Sequence, residues 1–287
     1  MIRVDTHFHP NFSFWLPEIL IRRRSRKIWD TFRKRKLDVV FVAEHAYKHP
    51  RRSYETLLRC RPKGVRTAII PAVETVSREG IDMIVFSKDG SVYGKRDILT
   101  PFKLPIERLV QRIHADPRLF GVIPHPYAPS RTGFLRSRPP SLLLKEEDVL
   151  RFAEKFNGAL LSTRHILLFL HLTRLFNRMF KRISRTMCVP ARMTPRGITI
   201  LGGSDAHHVW DLGSYLCIHA SCPRDFNRKF KAVINPRHKR TFHWRRQKTF
   251  PLLAELAESA TSFHEKMMKV FHLYRVESVV PKTSMGH

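Results

Sequence analysis

The chain has 287 residues, 43% of them hydrophobic, and its 53 Lys and Arg against 24 Asp and Glu leave a formal charge of +29 at pH 7. That length and apolar content suffice for the continuous core of one large domain or two small ones, and they exclude a disordered chain and a coiled coil. The longest apolar runs stop well short of the ~20 residues of a membrane-spanning helix, and four cysteines without a C-x-x-C pair argue for reduced thiols.

Short β-branched runs alternate with longer amphipathic stretches, a pattern that predicts βα units around a mostly parallel sheet. In chain order, a strand over Ile2–Asp5 leads to a helix over Pro17–Lys36, and strands follow over Asp38–Ala43, Thr67–Val73 and Met83–Ser87. A helix over Pro105–Ala115 precedes a strand over Gly121–Pro124, and Tyr127–Pro140, rich in Pro, Ser and Arg, reads as a long loop. Beyond it come a helix over Glu146–Lys155, a strand over Ala159–Leu161, a basic amphipathic helix over Ile166–Arg185, and strands over Ile198–Gly202 and Ser214–His219. Helices over Asp225–Ile234 and Leu252–His272 complete the series, and the tail 279–287 is expected to be disordered. The start Met1-Ile2-Arg3-Val4-Asp5 lacks the apolar core of a signal peptide, so a cytoplasmic protein is expected.

The positive surplus points to anionic partners, a phosphorylated small molecule or a nucleic acid. Basic residues cluster at Arg22–Lys27, Arg33–Lys36, Arg51-Arg52, Lys181-Arg182 and Arg237–Lys248, the last with Phe242 and Trp244 among them and read as a surface loop or a grip on single strands. The acid-poor run Ile166–Arg185 has the composition of a helix that lies on an anionic membrane surface, or of an outer helix packed on a sheet.

Residues able to do chemistry gather just past the β-like runs. His7 and His9 form an H-x-H step, and in extended backbone residues two apart point to one side, so both imidazoles can face one cation. Glu44-His45 follows the second strand, with the Glu44 carboxylate expected to orient the His45 imidazole, and Glu74 ends a buried run, where its carboxylate needs a cation or donors to offset desolvation. His125 stands between two prolines, and Gly202-Gly203-Ser204-Asp205-Ala206-His207 places a carboxylate and an imidazole on one turn beside small residues. Tyr47 and Arg78 are candidates to line the same pocket, Arg78 for phosphate.

These segments, Asp5-Thr6-His7-Phe8-His9, Ala43-Glu44-His45, Pro71-Ala72-Val73-Glu74, Ile123-Pro124-His125-Pro126 and Gly203-Ser204-Asp205-Ala206-His207, resemble the polymerase-and-histidinol-phosphatase (PHP) family over residues 1 to 212. The resemblance implies an α/β fold, a distorted seven-stranded (β/α) TIM-like barrel, with the barrel over 1–222 and C-terminal helices over 223–278 closing or flanking it. It also implies two or three divalent ions, Zn, Mn or Fe, that serve phosphate-ester hydrolysis. Carried over by residue, His7, His9, Glu74 and Asp205 surround one metal, Glu74 bridges to a second held also by His125, and His45 and His207 serve a third. Phe12-Ser13-Phe14-Trp15 stands where the family often has a further histidine. Where another is frequent after the bridging glutamate the chain reads Gly80-Ile81-Asp82-Met83, which makes Asp82 the nearest substitute ligand. The catalytic set expected on this basis is His7, His9, Glu74, His125, Asp205 and His207. The alternative expectation is a basic nucleic-acid-binding protein whose metal site is degenerate and structural.

Overall fold

The computed structural model describes residues 1–124, 152–154, 199–209 and 212–243. All belong to a unit running Met1–Arg245. A second unit, Arg246–His287, lies outside the described residues, as do His125, the Ala159–Leu161 strand, the Ile166–Arg185 and Leu252–His272 helices and the tail.

Among the described residues, nine strands form one sheet: β1 (Ile2–Phe8), β2 (Val39–His45), β3 (Ala68–Val76), β4 (Asp82–Ser87), β5 (Leu119–Ile123), β6 (Phe152–Glu154), β7 (Thr199–Leu201), β8 (Tyr215–Ile218) and β9 (Arg240–His243), in the order β7-β6-β5-β4-β3-β2-β1-β8-β9. The expected closed barrel of alternating strands and helices is not what forms. The ladder is open and mixed: β1–β2, β2–β3, β5–β6 and β6–β7 are parallel, whereas β3–β4, β4–β5, β1–β8 and β8–β9 are antiparallel. An antiparallel neighbour needs no crossover helix. From β3 to β4 the chain turns through residues 77–81, with the Ser77 amide donating to Ile81 O at 2.8 Å and Gly80 at φ 79°. Apolar runs of strand length look alike in both pairings, so strand direction does not show in them.

Two helical layers cover one face. α1 (Glu18–Lys34) buries Ile21, Ser25, Ile28, Trp29 and Phe32 at helical spacing, with Glu18 in its first turn and Arg33 and Lys34 in its last to suit the helix dipole. The Trp29 indole donates to Leu57 O at 2.9 Å and docks α2 (Pro50–Arg59) beside it. This second helix was not foreseen: its buried positions are Pro50, Ser53, Thr56 and Leu57, a stripe with too little apolar character to show in the sequence. α3 (Arg96–Leu99) and α4 (Ile106–His114) pack Ile98, Ile106, Leu109, Val110 and Ile113 on Val73, Met83 and Val85. On the other face, Ile2, Val4, Val39, Phe41, Ile70, Ile84, Phe86 and Val122 form an inner core that α5 (Phe226–Ile234) plugs with Phe230 and Val233. The predicted helix Glu146–Lys155 is corrected by β6, and the basic stretch from Arg237 by β9, whose Phe242 ring lies against Gly202 after β7. The two edges thus approach through side-chain packing, without a backbone ladder between β7 and β9.

β1 carries an irregularity that decides which face the histidines take. Val4 pairs with Val39 and Asp5 with Val40, but Phe8 pairs with Val42, so three residues of β1 span two of β2. Ile2 and Val4 join the inner core, yet Phe8 sits in the outer cluster with Val40, Val42, Phe32 and Trp29. One additional residue inverts the alternation of a strand. His7 and His9 are thereby brought to the side on which Ile2 and Val4 face the core.

Candidate metal centre

Four segments deliver the side chains to one rim of the sheet. His7 is in β1 and His9 one residue beyond it; His45 closes β2; Glu74 lies near the end of β3, paired with His45 across the ladder; Asp205 and His207 follow β7. The segment after β7 is tied to β1 by the Phe8–Ala206 bridge and by the His9 amide donating to Ala206 O at 3.0 Å. These strands run further than the sequence suggested, to Phe8, His45 and Val76, so the candidate ligands sit on strand ends and are fixed by the ladder.

His7, His9, His45 and Glu74 are buried, and Asp205 and His207 lie at the lip. His7 Nε2 and His9 Nε2 are 2.9 Å apart, and each is 3.4 Å from Asp205 Oδ1. Glu74 reaches three imidazoles: Oε1 is 3.7 Å from His7 Nε2, and Oε2 is 3.5 Å from His9 Nε2 and 2.7 Å from His45 Nδ1. His45 Nε2 and His207 Nε2 are 3.2 Å apart, and the His9 ring packs against both of theirs, with centroids at 4.3 and 4.2 Å. Among the described residues, two groups have ligand atoms close enough to share an ion, His7–His9–Glu74 and His9–His45–His207, with His9 common to both. The residues fit a metal on their chemistry: imidazole nitrogens converge on one another and on a carboxylate in a buried space.

Burial, followed by the charge on His9, pushes the His45 imidazole down to about 3, which keeps it a neutral lone-pair donor. Burial also opposes the charge on His9, but the carboxylates of Asp205 and Glu44 outweigh it and raise the imidazole above its ordinary value. For Glu44, burial is outweighed by His9 and Lys48, and the carboxyl is held down to about 2.

Of the other predicted residues, Asp82 is buried opposite Val76 and belongs to neither described group. His125 lies outside the described residues. Tyr47 stacks on the His45 ring at 4.9 Å with planes 10° apart, whereas exposed Arg78 donates to Lys103 O at 3.1 Å. Glu44, expected to orient the His45 ring, instead takes the His45 backbone amide at 3.2 Å and the Asn11 amide at 2.6 Å, and its Oε1 stands 3.6 Å from His9 Nδ1.

Sequence reasoning missed three supports. Asp5, fully buried, accepts from Ser204 Oγ at 2.6 Å, Ser204 N at 2.9 Å and His7 N at 3.1 Å, so one carboxyl ties β1 to the segment carrying Asp205. Burial, acting against those hydrogen bonds, lifts that carboxyl to about 7. Asn11, at φ 53°, accepts from Lys48 Nζ at 2.7 Å, which brings a cation to the lip. Arg24 of α1 donates to Pro10 O at 2.8 Å and His207 O at 3.2 Å. The signal for Asp5 was its place in the Asp5-Thr6-His7 run; Asn11 and Arg24 had none, because long-range contacts to carbonyls leave no local pattern.

No family model matches this chain, and no curated protein matches it. Among solved structures, the crystal structure of PsfC from Pseudomonas syringae PB-5123 is similar, with a TM-score of 0.53 over 93% of this chain and 100% of PsfC at 17% identity. At that identity the similarity concerns the fold alone.

Proposed function

We propose that this chain is a divalent-metal-dependent hydrolase of phosphate mono- or diesters, a relative of the PHP enzymes in its ligand set though not in a closed barrel. The observation that carries this reading is the pair of overlapping ligand groups on one rim, His7–His9–Glu74 and His9–His45–His207, with the Glu74 carboxylate reaching His7 through one oxygen and His9 and His45 through the other, and Asp205 3.4 Å from both His7 and His9. Two adjacent positions suit a pair of ions, Zn, Mn or Fe, since imidazole with carboxylate serves all three. Bound there, such ions supply Lewis acidity and neutralise charge on a phosphate. The chain's own contribution is orientation. Asp5 and Glu44 fix the backbone at His7, Ser204, His45 and Asn11, Tyr47 flanks His45, and Lys48 brings positive charge toward an arriving anion.

The test is metal content by plasma mass spectrometry on tag-free protein, with wild type beside a His7→Ala/His9→Ala variant, then turnover of nucleotide, sugar-phosphate and nucleic-acid phosphoesters. Two metals per chain, lost in the variant, with hydrolysis of at least one of these esters, is the expected result. Protein that binds metal stoichiometrically and turns over none of them would overturn the assignment as an esterase.

A further inference from the structure

The outer face of α1 and its approach segment have no part in the metal centre. At 100° per residue, the arc opposite the buried Ile21, Ile28 and Phe32 carries Arg22, Arg23, Arg26, Lys27, Arg33 and Lys34, with Asp30 the one acid among them. From Arg22 to Lys34 this is a straight cationic stripe of about 18 Å at 1.5 Å per residue. Glu18 pairs with Arg22 and Asp30 with Arg33, while among the described residues no carboxylate pairs with Arg23, Arg26 or Lys27.

At the N-terminal end of the stripe the surface changes character. Trp15 is 76% exposed, Ile19 71% and Leu20 43%, and these are three of the five exposed large apolar residues of the described chain. They adjoin in sequence, beside a Phe14 ring already covered by the Arg52 guanidinium at 4.2 Å. Scattered apolar side chains are ordinary on a protein surface, but a cluster of three at the end of a polybasic stripe is not.

We infer that this corner and stripe form a docking surface for an anionic lipid bilayer. The two parts match the two terms that hold a peripheral protein on such a surface: apolar side chains entering the interface, Trp foremost, and a basic cluster attracted by anionic headgroups. Ile19 and Leu20 favour lipid over nucleic acid, because an aliphatic side chain has no π-face to stack on a base, whereas it gains from leaving water for an acyl boundary. This surface stands independently of the proposed esterase activity.

The experiment is sedimentation of the full-length protein with vesicles of phosphatidylcholine alone and with about 30 mol% phosphatidylserine, at low and high salt. Wild type should bind the anionic vesicles at least about tenfold tighter and lose that preference in high salt. Arg23→Glu/Arg26→Glu/Lys27→Glu should weaken binding on the order of a hundredfold, and Trp15→Ser/Ile19→Ser about tenfold or more. All five side chains are exposed, so the folded fraction should be unchanged by circular dichroism. Tryptophan emission should shift to the blue on anionic vesicles in wild type but not in Trp15→Phe. The inference falls if wild type stays in the supernatant, as it would were another part of this chain or nothing to cover the corner. It falls equally if the variants sediment like wild type, or if oligo-dT binds more tightly than the vesicles and is lost in the same variants, which would assign the stripe to nucleic acid.

Discussion

The Asp5–Ser204 contact invites a quantitative test, because it joins segments 199 residues apart inside the core and depends on no metal. Asp5→Ala leaves the amides of His7 and Ser204 buried without their acceptor, at about 1–3 kcal/mol each, so a loss of roughly 2–6 kcal/mol is expected. Asp5→Ala also removes the 2.6 Å bond from the Ser204 hydroxyl, for which His7 O at 3.3 Å, beyond the usual O–H···O range, is a poor substitute, so the contribution of that bond is lost in this variant as well. Ser204→Ala removes the 2.6 Å bond to the carboxyl, a hydrogen bond to a charged group and therefore about 1.5–3 kcal/mol. In the double variant the hydroxyl bond cannot be lost twice, so the cycle should show a coupling of about 1.5–3 kcal/mol. The assay is urea unfolding of chelator-treated wild type, both single variants and the double variant. A pH of about 8.5 suits it, above the raised Asp5 value, so that the carboxylate accepts all three bonds. Effects that add to within about 0.5 kcal/mol would refute the claim that this carboxyl clamps β1 to the Asp205 segment. Under the proposed metal assignment, Asp5→Asn should also cost about 10–100-fold in metal affinity, the usual effect of loosening what orients a ligand.

Three further outcomes are expected. A Cβ at Gly202 would lie 2.5 and 2.6 Å from Phe242 ring carbons, so Gly202→Val should cost about 1–3 kcal/mol by thermal unfolding, and Phe242→Leu in the same chain should recover part of it. Asp116 takes Arg118 through both oxygens at 2.9 and 2.8 Å and Lys95 at 2.6 Å, which holds its carboxyl far below the usual range. Its folded value is lowered, so the stabilisation is complete above the unfolded value of about 3.9 and disappears as pH falls through the folded one. The Tm gap between wild type and Asp116→Asn should therefore be constant near neutrality and shrink below about pH 4; a gap unchanged down to pH 2 contradicts this. Trp29→Phe keeps most of the ring but leaves Leu57 O without its donor, and should cost about 1–3 kcal/mol in chemical denaturation.

The strands were legible because their residues are buried on both faces and read as uninterrupted β-branched runs, as in Val39-Val40-Phe41-Val42 and Ala68-Ile69-Ile70. Helices α1, α4 and α5 were legible from their apolar stripes, and α2 was not, for its buried side chains include a serine, a threonine and a proline. Strand direction was not legible in the strands themselves. The sequence from Ser77 to Ile81 is as short as a hairpin needs, and length of connection, rather than composition of the strands, was the signal for an antiparallel β4. In the site, His7, His9, His45, Glu74, Asp205 and His207 were found because each adjoins a strand. Glu44 was seen but assigned to the wrong partner, since the side of the rim it serves depends on where Asn11 turns at φ 53°.

This explains why residues far apart in the chain can be expected together, and are found together, through a wrong topology. The residues that matter come from β1, β2 and β3, three adjacent strands that do run parallel, and from the segment after β7, which the Phe8–Ala206 bridge returns to β1. Parallel neighbours end on one rim, whatever the pairing elsewhere in the sheet. The antiparallel β4, β8 and β9 alter how the sheet continues on either side but leave that rim untouched. What the rim still requires is that β1 present its histidines inward. Its alternation up to Val4 would place Thr6 and Phe8 there instead, and the three-against-two pairing between Asp5 and Phe8 reverses this. One irregular residue in a seven-residue strand therefore separates a rim bearing four imidazoles and two carboxylates from one in which His7 and His9 would point toward α1.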